Sequence, residues 1–127
     1  MTQATVVSTS KAPAAIGPYS QAIKLGNLVF TSGQIGLNPA TSDLVGPATE
    51  EQARQAFTNL KAVAEEAGGS LANVVKFTLF LTDLSEFAQV NAIMQEYVSA
   101  PFPARSTVGV ASLPKGARFE VEAILAL

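Results

Sequence analysis

Only two stretches of this chain repeat their apolar residues every three and four positions, as an amphipathic helix does, while the other apolar runs have the length and residue types of β-strands. Two helices can cover one face of a sheet and no more. The expected fold class is therefore α+β, a mixed β-sheet with two helices packed on one face and a second face in need of its own cover. With 127 residues, a single domain spanning 1–127 accounts for the whole length.

The first helix opens at Thr49-Glu-Glu-Gln52, which has the capping-box pattern with acidic residues in the first turn. Ala53, Phe57, Leu60, Val63, Ala64 and Ala67 form its apolar stripe, and Gly68-Gly69 stops it. The second opens at Asp83-Leu-Ser-Glu86, carries Phe87, Val90, Met94, Tyr97 and Val98 on one side, and ends at Pro101-Phe-Pro103. Strands are expected at 5–8, 21–25, 28–33, 74–81, 105–111 and 118–125. The first is an edge strand, Gly26-Asn27 turns a hairpin, and 74–81 is apolar enough to be an inner strand. Residues 11–19, with Pro13, Gly17 and Pro18, and 37–48, with Pro39, Asp43, Gly46 and Pro47, read as loops. The two helical crossovers imply parallel pairings, and a hairpin at each end of the chain implies antiparallel ones.

The last strand shows what the uncovered face is made of. Phe119, Val121, Ala123 and Leu125 point one way and suit the helices, while Arg118, Glu120, Glu122 and Ile124 point the other. Charged residues make up only 14% of the chain, against about 25% in a typical soluble protein. A surface so poor in charge favours burial of that face in a polar seam between copies of the chain, hence an obligate oligomer.

Histidine and cysteine are both absent. That removes thiol nucleophiles, Ser–His–Asp and Cys–His machinery and almost every zinc, copper or haem site, so no metal is expected. Chemistry has to come from carboxylates, Arg, Lys, Tyr, hydroxyls and backbone amides. No GxGxxG, GxxxxGK[ST] or GxSxG motif is present, and no cofactor is expected. A net charge of −2 with scattered basic residues argues against nucleic acid and an anionic membrane as partners. The lack of a bilayer-length apolar run and of a basic, apolar leader points to the cytoplasm.

Within that residue set, Arg105 either pairs with a carboxylate at a subunit contact or offers its planar fork to a substrate carboxylate. Glu120 is a solvated strand residue, a partner for Arg118 or Arg105, or a semi-buried acid raised by desolvation and by Glu122, able to deprotonate a water. Tyr19 packs beneath its Gly17-Pro18 loop or presents its hydroxyl to a ligand. Ser32 and Gly33 end a strand where a hydroxyl and a backbone N–H can meet a ligand. Asn91, between Phe87 and Met94, is expected to tie the second helix to a loop.

Taken together, Ala14-Ala-Ile-Gly-Pro-Tyr19-Ser-Gln, Phe30-Thr-Ser-Gly-Gln-Ile, Ala53-Arg-Gln, Phe102-Pro-Ala-Arg105-Ser, Leu113-Pro-Lys and Glu120-Val-Glu-Ala resemble the Rid (YjgF/RidA) family of enamine/imine deaminases, nearly end to end. The resemblance implies a chorismate-mutase-like fold and a homotrimer with a central β-barrel and one site in each cleft between neighbours. It implies cofactor-free hydrolysis of 2-iminopropanoate and 2-iminobutanoate, left by PLP-dependent Ser/Thr dehydratases, to 2-oxo acids and ammonia. Arg105 then corresponds to the carboxylate-binding arginine and Glu120 to the water-orienting acid, with Tyr19, Ser32, Gly33, Asn91 and Thr107 in the pocket. Thr107 stands where the family often has cysteine; its backbone groups can still face the site. The alternatives are a non-catalytic, carboxylate-binding or chaperone-like trimer and, less well supported by this residue set, a ribonuclease or translation inhibitor.

Overall fold

The computed structural model describes residues 3–127. Its strands are β1 (Ala4–Val7), β2 (Ala22–Leu25), β3 (Leu28–Thr31), β4 (Gln34–Ile35), β5 (Val74–Leu81), β6 (Ala104–Gly109) and β7 (Phe119–Ala126), with helices α1 (Thr49–Glu66) and α2 (Phe87–Met94). They form one sheet in the order β1-β2-β3-β7-β5-β6, with β4 also on β7. Every pairing is antiparallel except β5–β6. The α+β class and the mixed sheet are as expected.

The topology departs from the sequence reading at two places. β6 and β7 do not form a hairpin: β5 lies between them, parallel to β6 and antiparallel to β7. For the same reason only the α2 crossover joins neighbouring parallel strands, since β7 is inserted between β3 and β5. A local turn does not determine whether its flanking strands pair; here β7 pairs along its length with the eight-residue β5 on one side and with the shorter β3 and β4 on the other.

The N-terminus of α1 also differs. Its N-cap is Ala48, one residue before the expected Thr49, and Ala48 N–H donates to Glu51 Oε1 at 3.0 Å, while Gln52 turns its amide to Gly46 O at 2.8 Å instead of closing the expected box. Thr49 lies inside the helix, and its hydroxyl donates to Glu86 Oε1 at 2.8 Å while accepting from Arg118 Nε at 2.8 Å. Glu86 therefore does not close a box for α2; Asp83 Oδ1 instead accepts from Ser85 N–H and caps a short 3-10 turn, Leu84–Glu86. Arg118 precedes β7 and belongs to this knot, with Nη2 2.7 Å from Glu86, rather than to the bare sheet face. α2 ends at Met94, but Tyr97 and Val98 still pack against the core.

Phe57 of α1 is the centre of the packing. Its ring stacks on Tyr97 at 5.3 Å and meets Phe119 at 5.6 Å and Phe77 at 6.1 Å. Phe119, Val121, Ala123 and Leu125 are all buried beneath the helices, as the alternation of β7 requires. Burial of one such aromatic contributes about 2–3 kcal/mol. A smaller cluster of Ile35, Leu37 and Ala117 forms beneath the 37–48 loop, so this loop is not wholly superficial. Asn59 of α1 is fully buried and donates Nδ2 to the carbonyls of Leu37 (2.9 Å) and Ile35 (3.3 Å).

Among the described residues no helix covers the opposite sheet face. Val6, Ile23, Phe30 and Ile124 lie side by side across β1, β2, β3 and β7. Val6 is 62% and Phe30 42% exposed, and Leu25 and Leu28 extend this apolar band. Nearer β6 the same face carries Glu120 beside Phe80 and Glu122 beside Thr78.

Candidate active site

Glu120 stands on β7 opposite Ile35 of β4 and Phe80 of β5. It is half-buried in a cleft of about 400 Å³ whose walls include Ile16, Tyr19, Gly33, Leu37 and Lys115. Burial, and secondarily the charge of Glu122, push its carboxyl above the usual carboxylate range. Neither Arg118 nor Arg105 forms an ion pair with it. Gly33 gives the carboxylate room: a Cβ there would lie 2.7 Å from both Cδ and Oε2 of Glu120.

The loop before β2 forms the rim of this cleft. Tyr19 is 53% exposed and its ring is not tucked under the loop. Its hydroxyl accepts from Ile16 N–H at 3.3 Å, which leaves the phenolic proton available to a ligand. Ser32 is committed internally, its hydroxyl donating to Ser20 O at 2.6 Å and its N–H to Gln21 O at 2.9 Å. Gln21, which sequence reasoning did not single out, is buried and holds the rim in place. Nε2 donates to Pro13 O (2.8 Å) and Thr9 O (3.0 Å), while Oε1 accepts from Thr9 N–H (2.7 Å). A polar residue at the head of a strand is its only sequence signal.

Arg105 lies elsewhere, in an open cleft of about 380 Å³ between α2 and β6 lined by Asn91, Met94, Val98, Phe102 and Pro103. Nη1 donates to Asn91 Oδ1 at 2.5 Å, and the guanidinium sits 5.1 Å over the Phe87 ring. Asn91 thus ties α2 to a strand side chain, not to a loop. Among the described residues no carboxylate pairs with Arg105. Thr107 points into the core side of β6, opposite Leu79, and its buried hydroxyl has no hydrogen-bond partner.

The family model described as Endoribonuclease L-PSP matches residues 9–127. This chain belongs to that family, the Rid (YjgF/RidA) proteins. The 2-iminobutanoate/2-iminopropanoate deaminase of Dermatophagoides farinae is 49% identical over 122 residues, covering 96% of this chain and 95% of that protein. RidA from an Antarctic Psychrobacter species superposes with a TM-score of 0.94 at 51% identity, covering 97% and 99% of the two chains. Escherichia coli TdcF, solved with serine bound, gives 0.91 at 41% identity, covering 97% and 98%.

In this Rid chain the candidate residues fall into two groups that do not meet. Arg105 is level with Phe77 on β5 and Glu120 with Phe80, so they sit two strands apart and three residues out of step. That places their Cα atoms roughly 14 Å apart. An odd offset also puts them on opposite faces of the sheet: Phe77 is in the core, and Phe80 is on the side without helices. Tyr19 and Gly33 line the Glu120 cleft, and Asn91 goes with Arg105. Within the chain the two groups occupy separate clefts.

Proposed function

We propose that this protein is a cofactor-free deaminase that hydrolyses 2-imino acids, 2-iminopropanoate and 2-iminobutanoate, to 2-oxo acids and ammonia. The observation that carries this reading is an arginine with no carboxylate partner among the described residues, together with a half-buried acid whose proton affinity is raised. The deaminase name of the mite relative supports it. The chain acts as one domain in a homotrimer, in which the bare sheet faces enclose a central barrel and the Arg105 cleft of one copy abuts the Glu120 cleft of the next. Such a site would be complete only between copies. The same reading puts the enzyme in the cytoplasm.

An imine carbon is already electrophilic, so the side chains need only hold, orient and shuttle protons. Arg105 would bind the substrate carboxylate, with Asn91 steadying the guanidinium. Glu120 would accept a proton from water as the oxygen bonds to the C=N carbon. That proton passes to nitrogen to give the carbinolamine; the hydroxyl proton then follows through Glu120 to the same nitrogen as the C–N bond breaks, so ammonia leaves and the C=O of the 2-oxo acid forms. Tyr19, Ser32, Gly33 and the backbone of Thr107 would shape the pocket.

The test supplies imine in situ from an amino acid oxidase and follows its loss. No acceleration by the parent would overturn the reading; Arg105→Ala is expected to abolish acceleration while leaving a folded trimer, and near-parental turnover there would overturn the role given to Arg105. The name of the family model makes RNA cleavage the second reading. Arg105-dependent hydrolysis of RNA by nuclease-free protein would favour it.

A further inference from the structure

We propose that Phe87 is a positioning residue that holds the Arg105 guanidinium so that it takes a carboxylate side-on, through Nε and Nη2. This inference rests on the deaminase reading above. Phe87, Asn91 and Met94 follow one another at spacings of four and three along α2, so they share one helix face. All three meet the same guanidinium. The Phe87 centroid is 5.1 Å from Cζ, Asn91 Oδ1 is 2.5 Å from Nη1, and Met94 Sδ is 3.8 Å from Nη1.

The ring supports the flat cation from one side, while Asn91 and Met94 occupy Nη1. Among the described residues nothing accepts from Nε or Nη2, and these two N–H groups project in parallel, as a carboxylate requires. Phe87 does little for the core. It is 37% exposed and lies outside the buried cluster, although it reads in the sequence as part of the apolar stripe of α2. Arg105 itself is exposed on an edge strand, where a free arginine would lose much rotamer entropy on binding. Supporting it beforehand removes part of that loss.

The experiment compares Phe87→Leu and Phe87→Tyr in the full chain, with 2-oxobutanoate as the carboxylate probe. Phe87→Leu is expected to raise KM, and the Kd for 2-oxobutanoate, by about 2- to 5-fold, the range of an exposed cation–π contact. kcat and the acid limb of the pH profile stay as in the parent, and Phe87→Tyr restores the parental KM. Adding 2-oxobutanoate is expected to shift the Arg105 Nε–H resonance in the parent. Parental KM in Phe87→Leu, failure of Tyr to rescue it, or an unmoved Nε–H signal would overturn the inference. Should Phe87→Leu not fold, Phe87→Met keeps an apolar side chain without the π face and is read in the same way. Parent and variants separate the two levels: no acceleration of imine loss by the parent refutes the deaminase reading, whereas an active parent with a silent Phe87→Leu refutes only the role of Phe87.

Discussion

Replacing Gly33 by alanine tests whether the position of the Glu120 carboxylate limits the chemistry. The new methyl would lie 2.7 Å from Glu120 Cδ and Oε2 and 3.0 Å from its Cγ, so its three nearest neighbours all belong to that one side chain. Non-bonded carbon atoms rest at about 3.5–4.0 Å, so the carboxylate has to retreat by roughly 1 Å. It is the free end of a flexible side chain, so the fold should lose well under 1 kcal/mol. A displacement of about 1 Å in a reacting group costs up to 100-fold in rate. The expected result is a kcat lowered 10- to 100-fold with an unchanged KM, because Arg105 lies in the other cleft, and an unchanged melting temperature. Gly36→Ala is the control. Its methyl would lie 2.5 Å from the Cα of Gln52, backbone against backbone, and should cost about 3 kcal/mol or more. Initial rates on imine generated in situ, beside thermal melts, separate the two. Full turnover by Gly33→Ala would refute the role given to Glu120.

Turnover is expected to fall as pH drops through the raised Glu120 value, and Glu122→Gln, which removes the like charge, should move that limb to lower pH in a rate profile. A folded-state value above the unfolded one is a contribution present at low pH and lost as pH rises through the folded value, so Glu120→Gln, for which no turnover is expected, should melt above the parent at pH 7 and level with it near pH 4. Asn59→Leu leaves the carbonyls of Ile35 and Leu37 without their buried donor. It should lower stability by about 2 kcal/mol in urea titrations, with an unchanged slope. Phe30→Asp puts a charge in the middle of the apolar band and should give folded monomers in sedimentation experiments; a persisting trimer would rule that band out as the subunit contact.

Elements whose signal is local were legible in the sequence. The alternation along β7 put Phe119, Val121, Ala123 and Leu125 in the core, and the stripe of α1 put Phe57 and Leu60 against them. Long-range competition hid the rest. The Leu113-Pro-Lys-Gly turn looks the same whether or not its strands pair, and only the insertion of β5 decides the matter. Thr49 has the residue type of an N-cap, yet Glu86 and Arg118, distant in sequence, take its hydroxyl. Arg105 and Glu120 were recognisable by chemical type. Their separation depends on the register of two strands against a third, which neither local sequence contains.

That register has a genetic corollary. In the proposed trimer each copy would present its guanidinium and its acid through opposite sides of the sheet, so two defective polypeptides should heal one another wherever they meet. Arg105→Ala and Glu120→Gln chains, each inert alone, should regain about a quarter of the parental activity when unfolded together in equal amounts and reassembled at random. Allelic complementation of this kind needs no intact subunit anywhere in the particle, only one junction where two sound halves touch.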